Sequence, residues 1–592
     1  MKWQVVLGLV GLLGFMGILA LWSVKDDSAT NDEIAHIAAG YSYLVAQDYR
    51  LNPEHPPIAK DLAAFPLLFM DLEFPWNHPS WTEHVNDQWG VGQFFLYEMG
   101  NDADAILFWG RIPMILLLVA LGGLLFHWSR QLLGTPAAFF VLVLFVFSPN
   151  FLAHGRLVTT DVAATLGVVL ALYWFLKFLY VPSRKHVFLG GIALAFALLL
   201  KFSTIILLPV FGIVFFLYWY FLPKPKQIRQ VFFIYSKGGM ALLLIAVLLL
   251  GIVYQAHILQ YPAERQLADS KDILGAYYGV ASEDISFGIA DSGVFRPYAH
   301  YVLGLLRSSQ RVQMQTAEYF LGETGPTGWP HYFPVLYATK IPLAFHILSV
   351  MAIMGVMVAY LARRKSSFFS VRDWARKHFS FVAMGVFVVA YLAIALSSPM
   401  QIGFRHLLPI LPFVYIFVGA GLRAFAYNLK HAIWPKAVFA AFLGWYIASS
   451  LAAFPHYLSY YNEFAGGASY GYKVAAHSNY DWGQDLKRLV RWKEERNIDT
   501  IYLDFFGRAD PSYYLGESYV PWRGSSWWKL YEIERDVPED FPHGNYLAVS
   551  AHFLASGGWT SEGYSRERDY AWLDAYEPIG RAGQSIVIYY IP

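Results

Sequence analysis

Long apolar runs joined by short polar links dominate this chain. The first run, Val5 to Trp22, follows Met1 and Lys2 and approaches the ~20 residues that a helix needs to cross a bilayer. No small-residue cleavage site of the Ala-x-Ala kind follows it, so the pattern predicts a retained membrane helix rather than a removed signal peptide. Ten further apolar stretches fall at roughly 105–127, 136–151, 160–180, 187–200, 203–222, 239–258, 336–362, 379–397, 406–426 and 437–454. Together they predict an α-helical polytopic membrane protein with about eleven transmembrane helices.

The basic residues give this count an orientation. With the N-terminus placed in the cytoplasm, the inner loops hold Arg130, then Arg184 and Lys185, then Lys224, Lys226, Arg229 and Lys237. The next inner loop holds Arg363, Arg364, Lys365, Arg372, Arg376 and Lys377, and the last holds Lys430 and Lys436. Every basic cluster near a helix end lies on one side, as the positive-inside rule asks. The same topology leaves a first loop of about 23–104, a middle loop of about 259–335 and the region from about 455 outside the cytoplasm. Loops of that length are usually functional. The expected division is therefore a membrane domain over 1–454 and an extracytoplasmic domain over 455–592. No internal repeat is visible, which weighs against a transporter built from inverted halves.

Past residue 455 the pattern changes. The stretch Asp481 to Lys493 has Leu486, Leu489 and Val490 near helical spacing and predicts an amphipathic helix. Thr500 to Phe506, Asn545 to Ser550 and Ser585 to Ile591 read as strands. A small α/β or α+β domain facing water is expected here.

Composition agrees with a membrane protein. Of the 592 residues, 56% are hydrophobic and only 15% are charged, against roughly 25% charged in soluble chains. A net charge of +1 offers no field for nucleic acid. The absence of cysteine removes disulfides and thiol catalysis.

Candidate chemistry clusters at the outer helix ends. Asp32 and Glu33 follow the first membrane helix, where an acid pair is costly unless solvated or partnered. A carboxylate there suits removal of a proton from an acceptor during group transfer; Asn31 or Asp32 equally suits a helix N-cap. Further along, prolines flank Glu54 and His55 and hold them in a fixed turn, with Arg50 just before. Glu54 and His55 are also a candidate pair for a divalent ion, and His, Arg and Lys can pair with phosphate. Arg156 and Asp161 lie between two membrane helices, as a structural ion pair or as substrate ligands. Lys201, Arg405 and His406 stand at the same outer level. Several cations at one depth suit a lipid-linked phosphate whose tail lies among the helices.

These residues resemble a known pattern. Asp32-Glu33, Gly40-Tyr41 and the run from Asp48 to Pro57 are similar to the first loop of GT-C glycosyltransferases of the protein O-mannosyltransferase superfamily (glycosyltransferase family 39-like), which includes the bacterial aminoarabinose transferases. The similarity continues, in order, through His154-Gly-Arg156 to Asp161, Lys201-Phe-Ser, Tyr319 to Glu323, Tyr332 to Pro342 and Gly403 to Pro409. It ends with Tyr460 to Glu463 and Ser478 to Asp485, the latter resembling a bacterial branch. Where aminoarabinose transferases carry a lysine, this chain has Glu54-His55 before its paired prolines.

The resemblance implies a GT-C fold and an inverting transfer from a polyprenyl-phosphate sugar to an extracytoplasmic protein or glycan. Asp32 would be the base, with Glu33 and Asp161 beside it. Arg156, Lys201, Arg405 and His406 would hold the donor phosphate, and Arg50, Glu54 and His55 would complete the loop site. It places the protein in a bacterial plasma membrane with the catalytic face and C-terminus outside. Trp76, Trp81, Trp89, Phe94, Phe95 and Tyr97 would suit first-loop helices lying on the outer leaflet. Tyr513, Tyr514, Trp522, Trp527 and Trp528 would either stack on sugar rings or pack the domain. The rival readings are a flippase or a non-catalytic binder of lipid-linked sugars; polar groups concentrated at one face favour the enzyme.

Overall fold

All eleven apolar stretches are helical in the computed structural model, and their ends are set by local chemistry. The structure describes residues 2–221, 228–275, 293, 295–313, 318–325, 328–364, 370–428, 434–522, 541–556, 559–560, 563–564 and 570–592. Among these, eight helices are long and apolar enough to cross a membrane, from Trp3–Val24 to Phe404–Ala426. The other three stretches are the shorter helices Thr135–Val146, Arg184–Leu198 and Trp434–Ala452.

Breaks in these helices occur where site residues sit. The expected run at 336–362 divides at Ile341-Pro342 into Tyr332–Lys340 and Leu343–Arg364, because proline cannot continue the hydrogen-bond ladder. The run at 136–151 ends at Val146, and a short helix Pro149–His154 starts on a proline at its first position. Lys201 lies in extended backbone between the helix Arg184–Leu198 and the 3₁₀ turn Phe202–Ile206. Arg405 lies in another 3₁₀ turn, Phe404–Ile410, which leads into Leu411–Asn428.

The first loop folds as a chain of short helices beginning with Asn31–Ala46 and Ile58–Ala64. Half of the aromatic residues expected on outer-leaflet helices turn inward instead. Trp81, Phe95 and Tyr97 are buried, and Phe74, Trp76 and Trp81 pack ring against ring. Burial of these large rings inside the loop gains more than spreading them over an interface. The exposed apolar side chains of this loop are instead Phe65, Leu68 and Phe69.

The C-terminal region holds a five-stranded sheet made of β1 (Ile501–Asp504), β2 (Tyr519–Pro521), β3 (Asn545–Ser550), β4 (Gly580–Ala582) and β5 (Ile586–Ile591). The strand order is β2-β1-β3-β5-β4. β1 runs parallel to both of its neighbours, and β5 runs antiparallel to β3 and β4. All three strands read from sequence are present. The amphipathic helix is shorter than expected, Leu486–Glu494 rather than a start at Asp481. Residues 481–484 instead form a buried turn in which Gly483 adopts φ +91°, with room for no side chain between Gly507 and Ala29.

Candidate active site

Asp32 and Glu33 are neighbours in sequence with different fates. Thr30, not Asn31 or Asp32, caps the helix Asn31–Ala46. Glu33, three residues on, reaches back to the Thr30 N–H at 2.9 Å in a reciprocal capping box. Its carboxylate also accepts from Arg111 Nε at 2.8 Å, from the Arg111 terminal nitrogen at 2.6 Å and from the Val158 N–H at 3.0 Å. Glu33 is fully buried and points away from any open space. Asp32, one residue earlier, is turned into a cavity.

There Asp32 meets Arg405, whose guanidinium donates to it at 2.7 Å and to Asp161 at 3.4 Å. Lys201 donates to the other oxygen of Asp161 at 2.5 Å. One arginine thus lies between two carboxylates, and Asp161 lies between two cations. Burial would raise the Asp32 carboxyl, but Arg405, with His36 and Arg311, outweighs it and lowers the group to about 2.

The cavity has a volume of about 540 Å³. Its polar end is formed by Asp32, Glu54, His55, Lys201, Arg311, Arg405 and His406. Much of the remaining lining is apolar, from Ile205, Leu208 and Pro209 on one membrane helix and Ile394 and Ala395 on another. A charged head region with two arginines and a lysine, joined to an apolar slot, suits a lipid with a polar headgroup better than a free sugar.

The turn carrying Glu54 and His55 is held from beneath by a buried lysine. Lys60 Nζ donates to Asn52 O at 2.9 Å, Asn52 Oδ1 at 3.0 Å and His55 O at 2.8 Å, and to Tyr43 Oη at 2.8 Å. Asn52 itself adopts φ +50°, a left-handed conformation that asparagine tolerates. Burial pushes the His55 pKa well below its ordinary value, with His36 and Lys201 adding to the push. Glu54 accepts from Gln88 Nε2 at 2.7 Å and faces Arg311 at 3.4 Å. The Glu54–His55 pair therefore offers a metal two ligands at most, one of them already engaged. Among the described residues no three His, Asp or Glu side chains gather to hold an ion.

Two other candidates lie elsewhere. Arg156 does not pair with Asp161 and does not line the cavity; it is buried against Asp27 at 3.0 Å. Asp27 also meets Arg488 of the C-terminal region at 2.7 Å, so this network fastens that region to the membrane domain. Arg50 pairs with Asp48 and lies over the Trp81 ring at 4.3 Å. Conversely, Arg311 lines the cavity though no motif pointed to it. It belongs to the helix Arg296–Gln313, where Arg307 and Arg311 are spaced one helical turn apart. In the C-terminal region Tyr514 donates to Asp104 at 2.9 Å and Trp522 is buried, so both pack the domain. Trp527 and Trp528 fall outside the described residues.

Residues 98–252 match the family model of dolichyl-phosphate-mannose-protein mannosyltransferases. The matched segment contains Arg111, Arg156, Asp161 and Lys201, whereas Asp32 and Arg405 lie outside it. No curated protein matches the chain. Among solved structures, ArnT from Cupriavidus metallidurans bound to undecaprenyl phosphate is 12% identical, with a TM-score of 0.42, over 98% of this chain and 97% of that one. The oligosaccharyltransferase AglB from Archaeoglobus fulgidus, in complex with an inhibitory peptide and a dolichol-phosphate, is 12% identical with a TM-score of 0.41, over 95% and 74%. The S. cerevisiae protein O-mannosyltransferase complex bound to the sugar donor is 12% identical with a TM-score of 0.47, over 77% and 90%.

Proposed function

We propose that this protein is a membrane glycosyltransferase that moves a sugar from a polyprenyl-phosphate carrier to an acceptor outside the cytoplasm. The observation that carries the reading is the cavity, which joins Asp32, Lys201, Arg405 and His406 to an apolar slot between two membrane helices. The family match over residues 98–252 supports it. A polyprenyl tail would lie along Leu208 and Ile394, and its phosphate would meet Lys201 and Arg405. The acceptor would enter from the aqueous side, between the first loop and the C-terminal region.

In this reading the acceptor oxygen attacks the anomeric carbon from the face opposite the phosphate. The carbon–oxygen bond to phosphate breaks, its electron pair leaves with the polyprenyl phosphate, and the acceptor proton passes to Asp32. Arg405 and Lys201 stabilise the charge that develops on the leaving oxygen. A carboxylate at a pKa of about 2 is a weak base. Donor phosphate drawn to Arg405 would compete with Asp32 for that guanidinium and raise the carboxyl when a base is needed. No step is routed through a metal. The orientation is that set by the basic loops, with the N-terminus in the cytoplasm and the site outside a bacterial plasma membrane.

The test uses purified protein in lipid vesicles with a panel of polyprenyl-phosphate sugars and of hydroxyl-bearing peptide and glycan acceptors, following release of free polyprenyl phosphate. Release by the wild type, abolished in a folded Asp32→Asn variant, is the expected result, and the productive donor names the sugar. Movement of donor across the bilayer with no release from any donor would overturn the enzyme in favour of a flippase.

A further inference from the structure

The C-terminal region packs behind the cavity, where Trp482 meets Arg405. Trp482 is completely buried, and the Arg405 guanidinium lies over its ring at 4.4 Å. On the other side of the same residue, the Trp482 carbonyl accepts from the Asn31 N–H at 3.2 Å, one residue before Asp32. A single residue thus touches the arginine with its ring and the start of the acid's helix with its backbone.

Neighbours of Trp482 fix both partners further. On the arginine's side, Asn479 Oδ1 accepts from the Phe404 N–H at 2.8 Å, and Ser478 Oγ donates to the Ile402 carbonyl. Towards the acid, the Ser28 hydroxyl donates to Gly483 O at 2.7 Å, and the Ser28 N–H donates to Gln484 O at 3.0 Å. The segment 478–484 is therefore a clamp between two parts of the chain more than 370 positions apart, since the Asp32–Arg405 contact it supports spans 373. Arg405 has little else to hold it from behind: its Nε is buried without a hydrogen-bond partner. A flat, electron-rich ring face is suited to hold a guanidinium in one plane while leaving its terminal nitrogens free to donate.

We infer that Trp482 is a positioning residue that sets Arg405 against Asp32, so that the C-terminal region completes the transfer site. This rests on the proposed function, because the gain it confers is read as donor turnover. Trp482→Phe keeps a ring face, whereas Trp482→Met keeps apolar bulk without one. Release of polyprenyl phosphate should fall by about 10- to 30-fold in the Met variant, the size of a desolvated cation–π contact, and by no more than about 3-fold in the Phe variant. In an Arg405→Lys background the same Met substitution should cost clearly less, because the planar stack is gone and only the weaker attraction of an ammonium for the ring remains.

A second readout needs no turnover. The Asp32 carboxyl band, assigned by infrared difference from Asp32→Asn, should titrate higher in the Met variant than in wild type and little changed in the Phe variant. Asp32 also faces His36 on its own helix, Arg311 across the cavity, His406 beside Arg405 and His477 next to the clamp, and none of these is replaced in the variants. If the Met variant does not fold, Trp482→Leu, which also keeps apolar bulk without a ring face, takes its place in both backgrounds and both readouts. Equal losses in the two backgrounds, or an unmoved Asp32 band in the Met variant, would overturn the inference. Absence of release from the wild type, with the Asp32 band still shifting, would overturn the proposed function alone.

Discussion

Glu33→Gln should destabilise the first loop more than Asp32→Asn, one residue away. The Glu33 carboxylate accepts five hydrogen bonds, from Thr30 N, Thr30 Oγ1, Arg111 Nε, the Arg111 terminal nitrogen and Val158 N. An amide replaces one acceptor oxygen with a donor, which faces other donors and leaves Arg111 buried without its counter-charge. Breaking one side of a buried pair costs about 3–5 kcal/mol. The carbonyls of Asp27 and Ser28 still accept from Arg111, at 3.0 and 2.9 Å, which favours the lower end, about 3 kcal/mol. Asp32 has a side chain 19% exposed and one close partner, and Arg405 keeps Asp161 at 3.4 Å, so its amide variant should lose less, about 1–2 kcal/mol. Unfolding in mixed detergent micelles, followed by circular dichroism, measures both. The paired variant Glu33→Leu with Arg111→Met should recover part of the loss, because no orphaned charge remains. The linkage has a definite sign. Burial alone would raise the Glu33 carboxyl, but Arg111 and the backbone donors hold it below its ordinary value. Its contribution is therefore complete above the ordinary carboxyl pKa, about 4.3, and lost as pH falls through the folded value. Glu33→Gln with wild-type stability at neutral pH, and activity alone reduced, would refute this reasoning and return Glu33 to the chemistry.

Three further outcomes follow from the geometry. Lys60→Met should free the Asn52–His55 turn and lower transfer about 10-fold or more while leaving donor binding nearly intact, which separate measurements of kcat and KM would show. Arg311→Ala should raise the donor KM about 10-fold, less at high salt, because this side chain is 40% exposed at the cavity and its charge is partly screened. Arg488→Ala leaves Asp27 and Arg156 buried with the bridge to the C-terminal region cut; limited proteolysis should then release that region faster than in wild type.

The membrane helices were legible because a span is a composition signal: a run of apolar residues has few other places to go. Asp32, Lys201, Arg405 and His406 were legible for a related reason, since ionisable residues at helix ends stand out against apolar neighbours. The division of labour between Asp32 and Glu33 was not. It depends on Arg111, which lies inside an apolar helix 78 residues away, and sequence spacing carries no trace of that contact. Arg156 pairs with Asp27 rather than Asp161, a choice that only the fold makes. Arg311 lies on a helix of the middle loop, and helical spacing alone does not say which cavity that helix meets. Trp482 belongs to the motif Ser478 to Asp485, yet its stacking on Arg405 depends on a turn where the sequence pattern predicts the start of a helix.

The polar end of the site also has a charge balance. Asp32, Glu54 and Asp161 stand against Lys201, Arg311 and Arg405, three of each sign, and every cation already touches a carboxylate. An arriving phosphate therefore enters by exchange, replacing one anion at an arginine with another, and gains far less than it would from a bare cluster of positive charge. Under the proposed reaction the donor is a phosphodiester with one negative charge, whereas the carrier left behind is a monoester with a second ionisation near pH 6. The ionised product adds a further negative charge to a site already in balance. Such a site would grip the spent carrier no more firmly than the loaded one needs, and so favour turnover over trapping of its own product.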